Sequence, residues 1–189
     1  MPLKRLGFLL ATVFLLHAVF AETNSELQES EISRASDRSA HANIVGKGIT
    51  GTVQFSAVSG QNYVLVEIEL TGLKSCTSYP YHIHQQAITA GNCTTALGHF
   101  NPRGVTAKKC DFHNPQNCEA GDLSGKFGNL TGGTTKLRYY EPFIKLSPSE
   151  RGIINRSIVI HSPDLQRLAC GTIVAGKAKV TLERSHSHC

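Results

Sequence analysis

The chain has 189 residues, 19 of them basic and 14 acidic, which gives a formal net charge of +5 at pH 7. This length predicts one domain with an extension, and so mild a positive charge argues against a nucleic-acid partner while it suits small anions. The C-terminal stretch KVTLERSHSHC lacks the hydrophobic tail that a lipid-anchor signal requires, so we expect no membrane anchor.

The first residues have the pattern of a secretory signal peptide. Lys4 and Arg5 precede the apolar run Leu6–Val19, and small residues around Ala21 suit a signal peptidase. A membrane anchor is the alternative, but the run is short for a bilayer span and no stop-transfer pattern follows it. We therefore predict cleavage of residues 1–21, which leaves 17 basic and 14 acidic residues and a net charge of +3.

The cysteines and the glycosylation sequons agree with export. All six cysteines follow the predicted cleavage site, and an even number in an oxidising compartment predicts disulfides rather than metal thiolates. Three sequons of the form Asn-X-Ser/Thr begin at Asn92, Asn129 and Asn155. We therefore predict a secreted, extracellular glycoprotein, with association with a cell wall as an alternative.

Differences in composition and hydrophobic pattern divide the chain into a leader, a domain and a tail. Residues 22–43 carry almost no large apolar side chains, so we predict a flexible leader. Residues 44–182 carry the strand-like patterns of a folded domain. Residues 183–189 form a tail, in which His186 and His188 repeat a His-X-His pattern that we read as merely polar.

Alternating apolar and polar residues predict an all-β domain. Ile49–Ala57 alternates in this way, and the residues Val64, Val66, Ile68 and Leu70 alternate with polar ones in the next run. No helical period is visible, and 17 glycines and 7 prolines punctuate the chain. This pattern predicts a β-sandwich or barrel with long loops. Further β-branched runs lie at Ser157–His161, Cys170–Ala175 and Lys179–Leu182.

The stretch from Ala87 to Leu130 is too long for a simple turn. It has little strand pattern and holds three cysteines and two histidines. A loop of this length inside a compact domain is usually functional, and disulfides could hold it in shape.

Four histidines predict a metal site. His82 and His84 share one face of a strand, roughly 7 Å apart at Cα, while His99 follows across the loop and His161 ends another strand-like run. A lone histidine is usually a surface or core residue, but this set is typical of metal ligands. Imidazole-only sites suit copper or zinc. Spacing alone leaves a redox copper and a zinc hydroxide site of the three-histidine type both open.

Five motifs, in this order, resemble the copper/zinc superoxide dismutase family: HIH, GNCTTALGHFNP, CEAGDLSGKFGNL, RSIVIH and RLACGTIV. The resemblance covers residues 44–175. It implies a Greek-key β-barrel with the metal on its outer face, roofed by loops. It also implies the disproportionation of superoxide to oxygen and hydrogen peroxide by a copper that cycles between Cu(II) and Cu(I).

The resemblance assigns roles to individual residues. Cys93 and Cys170 match the family's intrasubunit disulfide, and Arg167 matches the arginine beside the copper, whose guanidinium attracts and hydrogen-bonds superoxide. His99 would also carry a proton during the cycle. The residues at the positions of the four copper ligands are His82, His84, His99 and His161.

The zinc site of the two-metal enzymes is incomplete in this sequence. Asp122 is present, but Glu119 stands where the family pattern has a histidine, residues 103–109 contain none, and His113 lies off pattern. We therefore expect copper without zinc. Glu119 could accept the second ring N–H of His99 or bind a water that relays protons, and Asp122 could accept backbone N–H groups.

A second departure is the segment between His161 and Cys170, where the two-metal enzymes have a long charged loop and this chain has eight residues. Both losses resemble the copper-only superoxide dismutases secreted by fungi and oomycetes. A disulfide Cys110–Cys118 would close a small loop over the vacated zinc region. Cys76 and Cys189 would then pair at the pole away from the metal.

We therefore predict a secreted copper superoxide dismutase with one copper per chain and superoxide as its substrate. A zinc hydrolase or lyase of the three-histidine type is one alternative, although it would need neither Arg167 nor the Cys93–Cys170 arrangement. A non-catalytic copper-binding module of the same fold is the other. No dimer surface is legible in the sequence, and a monomer is the favoured state.

Overall fold

The structure, a computed structural model, describes residues 38–106, 110 and 112–178. Within these ranges the chain forms eight strands and one five-residue helix, α1 (Leu123–Phe127). The predicted all-β fold is confirmed, and α1 is too short to show a helical period. The strands are β1 (Ser39–Gly46), β2 (Ile49–Ala57), β3 (Val64–Tyr79), β4 (Tyr81–His84), β5 (Leu130–Glu141), β6 (Ser157–His161), β7 (Arg167–Thr172) and β8 (Val174–Ala175).

The strands form one sheet whose two ends are joined by the chain itself. Neighbours in the sheet follow the order β4-β6-β7-β1-β2-β3-β5, and β8 pairs with β1. Strands β3 and β4 lie near opposite ends of this order, yet only Pro80 separates them in the sequence. At Pro80 the chain therefore leaves its partner β5 and joins β6, which draws the sheet into a barrel.

Alternation along the strands separates the core from the outer face. On β4, Tyr81 and Ile83 belong to the main hydrophobic core, so the intervening His82 and the following His84 lie on the opposite face. On β6, Ile158 and Ile160 belong to the same core, which places Val159 and His161 on the outer face. The histidines of both strands are thus displayed on the outside of the barrel, under the loops.

The barrel begins earlier than the sequence predicts. Strand β1 starts at Ser39, inside the stretch 22–43 predicted as a leader, and pairs with β2 along its whole length. Its buried positions there are the small residues Ser39, Ala40 and Ala42, which carry no visible hydrophobic signal. The run Lys179–Leu182 and the tail lie outside the described residues.

In the described part of residues 87–130, the chain forms short turns and one short helix, with no strand before Leu130. This region contains 3₁₀ turns at Cys93–Ala96 and Pro115–Asn117 and then α1. Strand β5 begins at its end, a strand that the sequence reading missed because LTGGTTKLRYYE has adjacent glycines and few apolar residues. Among the residues that the structure describes, no helix has the length and hydrophobicity to cross a membrane.

Candidate metal centre

Four histidines from three parts of the chain converge on the outer face of the barrel. His82 and His84 lie on β4 and His161 ends β6, while His99 reaches them from the loop through an isolated bridge to His84. The candidate ligand atoms of His82, His84 and His99 lie within 4.8 Å of one another. The fourth ring joins them, because His161 Nε2 lies 3.2 Å from His84 Nε2.

Backbone carbonyls hold two of these rings in one tautomer. Nδ1 of His84 lies 2.9 Å from the Leu97 carbonyl oxygen, and Nδ1 of His161 lies 3.2 Å from the Leu165 carbonyl oxygen. A carbonyl only accepts, so both Nδ1 atoms carry the proton and both Nε2 atoms of the neutral rings carry a lone pair. These two lone pairs face each other across 3.2 Å. A metal cation bound between them would satisfy both.

His82 offers a third unpaired nitrogen. Its Nε2 lies 3.0 Å from the Ser124 hydroxyl oxygen and 3.6 Å from Asp122 Oδ1. Its Nδ1 is buried and has no hydrogen-bond partner among the described residues. A buried polar atom without a partner is costly, and this one belongs to a ring whose centroid lies 4.1 Å from that of His99. The chemistry of the donor set, imidazole nitrogens alone, suits copper or zinc.

Glu119 holds the fourth ring. Its Oε2 accepts a hydrogen bond from His99 Nδ1 at 2.8 Å, while its Oε1 accepts one from the Asn101 side-chain amide at 3.3 Å. The carboxylate therefore leaves Nε2 of the neutral His99 ring unprotonated. Of the two roles that the sequence left open for Glu119, the geometry shows the direct contact with His99.

The turn from Glu119 to Asp122 is inserted between two segments that carry candidate ligands. The Gly121 N–H donates to the Phe100 carbonyl at 2.7 Å, and the Ile83 N–H donates to the Gly121 carbonyl at 2.9 Å. A Cβ at position 121 would lie 2.3 Å from the Ile83 carbonyl oxygen, so this approach requires glycine. Asp122 caps α1 by accepting the Gly125 N–H at 2.8 Å.

Arg167, at the start of β7, is tied to the ligand loop. Its guanidinium donates to the Cys93 carbonyl at 2.6 Å and to the Leu97 carbonyl. The Leu97 carbonyl also accepts the Nδ1–H of His84. One backbone oxygen thus links the arginine to a candidate ligand and fixes the position of both.

Two predicted disulfides are present in the structure. Cys93–Cys170 ties the 3₁₀ turn to β7, with Cα atoms 5.7 Å apart, and Cys110–Cys118 closes a short loop, with Cα atoms 4.6 Å apart. Among the described cysteines, the exposed Cys76 has no disulfide partner. Cys189 lies outside the described residues, so its pairing with Cys76 stays a prediction.

The remaining residues singled out in the sequence are three further histidines and the three sequon asparagines. His113 makes a tilted ring contact with Phe112, with ring centroids 3.8 Å apart, and does not belong to the ligand cluster. His186 and His188 lie outside the described residues. The three sequon asparagines, Asn92, Asn129 and Asn155, are all exposed.

Several residues of the site were not found from the sequence. The Leu97 and Leu165 carbonyls are backbone groups, which no side-chain pattern predicts. Both leucines also adopt positive φ values, 62° and 65°, that are unusual for leucine. Ser124, beside His82, and Asn101, beside Glu119, lie within the motifs GDLSG and GHFNP. A search for polar residues next to the predicted ligands in those motifs could have found them.

Burial favours the neutral form of three candidate ligands, His82, His84 and His161. Desolvation, aided by the neighbouring histidines, lowers the pKa of His82 to about 2 and that of His84 to about 4. Desolvation also lowers the pKa of His161. These three rings therefore present lone pairs, not protons, to a cation at neutral pH.

We expect the metal-free protein to lose stability as the pH falls from about 6.5 to about 4. The pKa values of His82 and His84 are lowered on folding. In this pH range the two rings therefore bind protons in the unfolded chain but not in the folded chain. The free energy of unfolding should then fall by about 1.4 kcal/mol per pH unit for each of the two rings. Well above pH 6.5 both rings are neutral in the folded and in the unfolded chain, so they no longer make the free energy of unfolding depend on pH.

Urea midpoints of the metal-free protein at several pH values between 7 and 4 measure this loss. A His82→Asn/His84→Gln variant is the matched control, and its midpoint should change less over the same range. Equal slopes for the two proteins would contradict the assignment of the effect to these rings.

A family model described as copper/zinc superoxide dismutase matches residues 49–173. The chain is 34% identical over 169 residues to the cell surface Cu-only superoxide dismutase 5 of Candida albicans, a match that covers 88% of this chain and 70% of that relative. It is 37% identical to the cell surface superoxide dismutase [Cu-Zn] 6 of the same organism, covering 66% of this chain. The chain spans only about half the length of some relatives, 40% and 53% for two of them.

Solved structures show the same likeness. The Cu(II) form of Candida albicans superoxide dismutase 5 superimposes with a TM-score of 0.66 at 32% identity, covering 81% of this chain and 96% of that one. The clock protein EA4 superimposes with a TM-score of 0.62 at 26% identity, covering 74% and 96%.

Proposed function

Because the chain belongs to the copper/zinc superoxide dismutase family, we propose that it is a secreted copper superoxide dismutase that works without zinc. The observation that carries the proposal is the pair of facing Nε2 lone pairs of His84 and His161, 3.2 Å apart. With the unpaired Nδ1 of His82 and the Nε2 of His99, they make an all-imidazole donor set. Relatives named Cu-only superoxide dismutases support copper as the metal.

Copper held by His82, His84, His99 and His161 would supply the one-electron oxidation and reduction of superoxide. The protein residues hold the ring orientations through contacts beyond the metal: the Leu97 and Leu165 carbonyls, the Ser124 hydroxyl and the Glu119 carboxylate. Such partners fix the tautomer and raise the basicity of each ligand.

Among the residues that the structure describes, a zinc ion beside the copper site would lack ligands. Glu119 is occupied by His99 and Asn101, and Asp122 caps α1. His113, the other histidine of the loop, makes a tilted ring contact with Phe112 and does not belong to the ligand cluster. In place of a second metal, the Glu119 carboxylate orients the His99 ring.

Arg167 is the proposed guide for the anion. Its guanidinium carries a fixed positive charge, and two carbonyls hold its position beside the ligand loop. It can therefore attract superoxide and donate hydrogen bonds to it. His99 is the proposed proton carrier: its Nε2 can take up and release a proton while its Nδ1–H stays bonded to Glu119.

The location is also part of the proposal. Residues 1–21 would act as a signal peptide, and the relatives named cell surface dismutases support an extracellular place of action. The exposure of Asn92, Asn129 and Asn155 is compatible with glycosylation of all three sequons.

Metal counting tests the proposal directly. We expect the purified secreted protein, offered copper and zinc together, to bind one copper and no zinc per chain, and to dismutate superoxide. Elemental mass spectrometry and a superoxide-consumption assay measure both results. Zinc bound alone would overturn the redox function, whereas one ion of each metal would overturn only the copper-only assignment.

Replacing Arg167 separates a catalyst from a copper-binding module. The Arg167→Ala variant should keep its copper but lose about 10- to 100-fold in kcat/KM, because electrostatic guidance of this kind accelerates association by about 10- to 1,000-fold. The exposed Arg138, which faces Glu67 across β3 and β5, provides the matched control Arg138→Ala. A catalytic rate that is equal in both variants would argue that Arg167 has no part in turnover.

A further inference from the structure

The backbone on both sides of Glu119 is held by cations. The Arg103 guanidinium donates to the Cys118 carbonyl at 2.9 Å, and the Lys126 ammonium donates to the Ala120 carbonyl at 2.8 Å. These are the carbonyls of the residues immediately before and after Glu119. Hydrogen bonds from charged donors are stronger than neutral ones, so this arrangement is well suited to fixing the direction of the side chain between them.

Lys126 is a buried charge with a buried partner. Its ammonium lies 2.5 Å from Glu141 Oε2, and both side chains are 0% exposed. The other carboxylate oxygen, Oε1, accepts the Phe143 N–H at 2.6 Å. Burial lowers the pKa of Lys126 and raises that of Glu141, and the ion pair opposes both shifts. An ion pair in such a place is a poor source of stability compared with apolar side chains, which points to a role in specifying a local structure.

The Phe143 ring brings the two cations together. Arg103 Cζ lies 5.0 Å from its centroid and Lys126 Nζ lies 5.4 Å from it, both within the range of cation–π contacts. Strand β5 ends at Glu141, and Phe143 follows two residues later. The end of this strand thus supplies both the carboxylate that pairs with Lys126 and the ring that both cations contact.

We propose that Arg103 and Lys126 are positioning residues, which clamp the backbone on either side of Glu119 so that its carboxylate meets Nδ1 of His99. The Cys110–Cys118 disulfide and the hydrogen bonds of Gly121 hold the ends of the turn, whereas the clamp holds the two carbonyls next to Glu119 itself. The clamp sets the tautomer of His99 from a distance, without touching the ring.

This inference rests on the proposed function in one respect, the role of His99 as a copper ligand and proton carrier. It concerns a hydrogen bond within the protein, so it is tested in the metal-free protein, and its failure would leave the copper chemistry untouched. Loss of copper binding or of dismutase activity would, conversely, leave the clamp standing.

The test compares the tautomer of His99 in matched variants, by long-range ¹H–¹⁵N NMR at a pH where the ring is neutral. Lys126→Met/Glu141→Gln removes both buried charges and keeps an acceptor for the Phe143 N–H. The same substitutions in the exposed pair, Lys136→Met/Glu69→Gln, whose charges lie 2.9 Å apart, provide the control. Glu119→Gln gives the reference for a ring that has lost its carboxylate.

The wild type and the control should show the Nδ1–H tautomer of His99 as the dominant form. In Lys126→Met/Glu141→Gln this tautomer should fall below half. The His84 ring, held by the Leu97 carbonyl, should keep its tautomer in every variant and serves as an internal reference. A folded double variant with the wild-type His99 signal would overturn the proposal.

If the double variant does not fold, the Arg103→Met variant tests the proposal in its place. Arg103 is exposed, so its replacement removes only the outer half of the clamp. A loss of the Nδ1–H tautomer of His99 would support the proposal, and an unchanged His99 spectrum would overturn it.

Discussion

Replacing His161 with alanine should lower the copper affinity by more than about 100-fold, since the loss of even an outer partner of a metal ligand costs about 10- to 100-fold. The Nε2 of His161 provides one of the two facing lone pairs, and the ring is only 5% exposed. Competition with a chromophoric chelator measures the affinity, and circular dichroism measures whether the fold is kept.

His41 provides the control for this substitution. It lies on β1, where its Nδ1 contacts the Gly176 carbonyl at 3.0 Å, and it is not in the ligand cluster. His41→Ala should bind copper like the wild type. Added imidazole should restore part of the affinity of His161→Ala by entering the space of the lost ring. Wild-type affinity in His161→Ala would exclude this residue from the ligand set.

Removing the Cys93–Cys170 disulfide should cost about 4.5 kcal/mol of unfolding free energy, by the loop-entropy relation for a loop of this length. The two cysteines are 77 residues apart in the sequence. The bond also ties the 3₁₀ turn to β7, next to the Cys93 carbonyl that Arg167 uses. Urea unfolding of Cys93→Ala/Cys170→Ala at neutral pH, in the metal-free state, measures the loss.

The second disulfide gives a built-in comparison. Cys110 and Cys118 are eight residues apart, and the same relation gives only about 2.6 kcal/mol for Cys110→Ala/Cys118→Ala. We therefore expect the longer loop to matter more. Equal losses, or a larger loss for the short loop, would show that strain or residual structure outweighs loop entropy here.

The parts that the sequence predicted are those in which a side chain carries its own signal. The buried residues Val64, Val66, Ile68 and Leu70 alternate as expected on β3. The same period of two places His82 and His84 on one face of β4. Strand β6 occupies the predicted range, Ser157–His161.

The parts that escaped prediction depend on small residues, backbone groups or distant contacts. β1 buries Ser39, Ala40 and Ala42, which look polar or neutral in a sequence. The carbonyls of Leu97 and Leu165 orient ligands, but no side-chain pattern marks them.

The buried ion pair of Lys126 is the clearest example of a contact that the sequence does not predict. A lysine is almost never fully buried unless it is paired, and its partner Glu141 lies 15 residues further along the sequence, at the end of β5. No local pattern distinguishes this pair from two solvated charges. Only the folded barrel brings them together beneath Glu119.

The junction at Pro80 has a consequence for how the protein is made. Strands β4 and β6 pair residues 73 to 79 positions apart in the chain, such as Tyr81 with Ile160, and pairings of this separation form slowly. A nascent chain that has produced His82 and His84 still lacks the fourth candidate ligand, His161, until β6 is made and pairs with β4. The complete set of four histidines is therefore available only after β6 has paired with β4 in the folded domain.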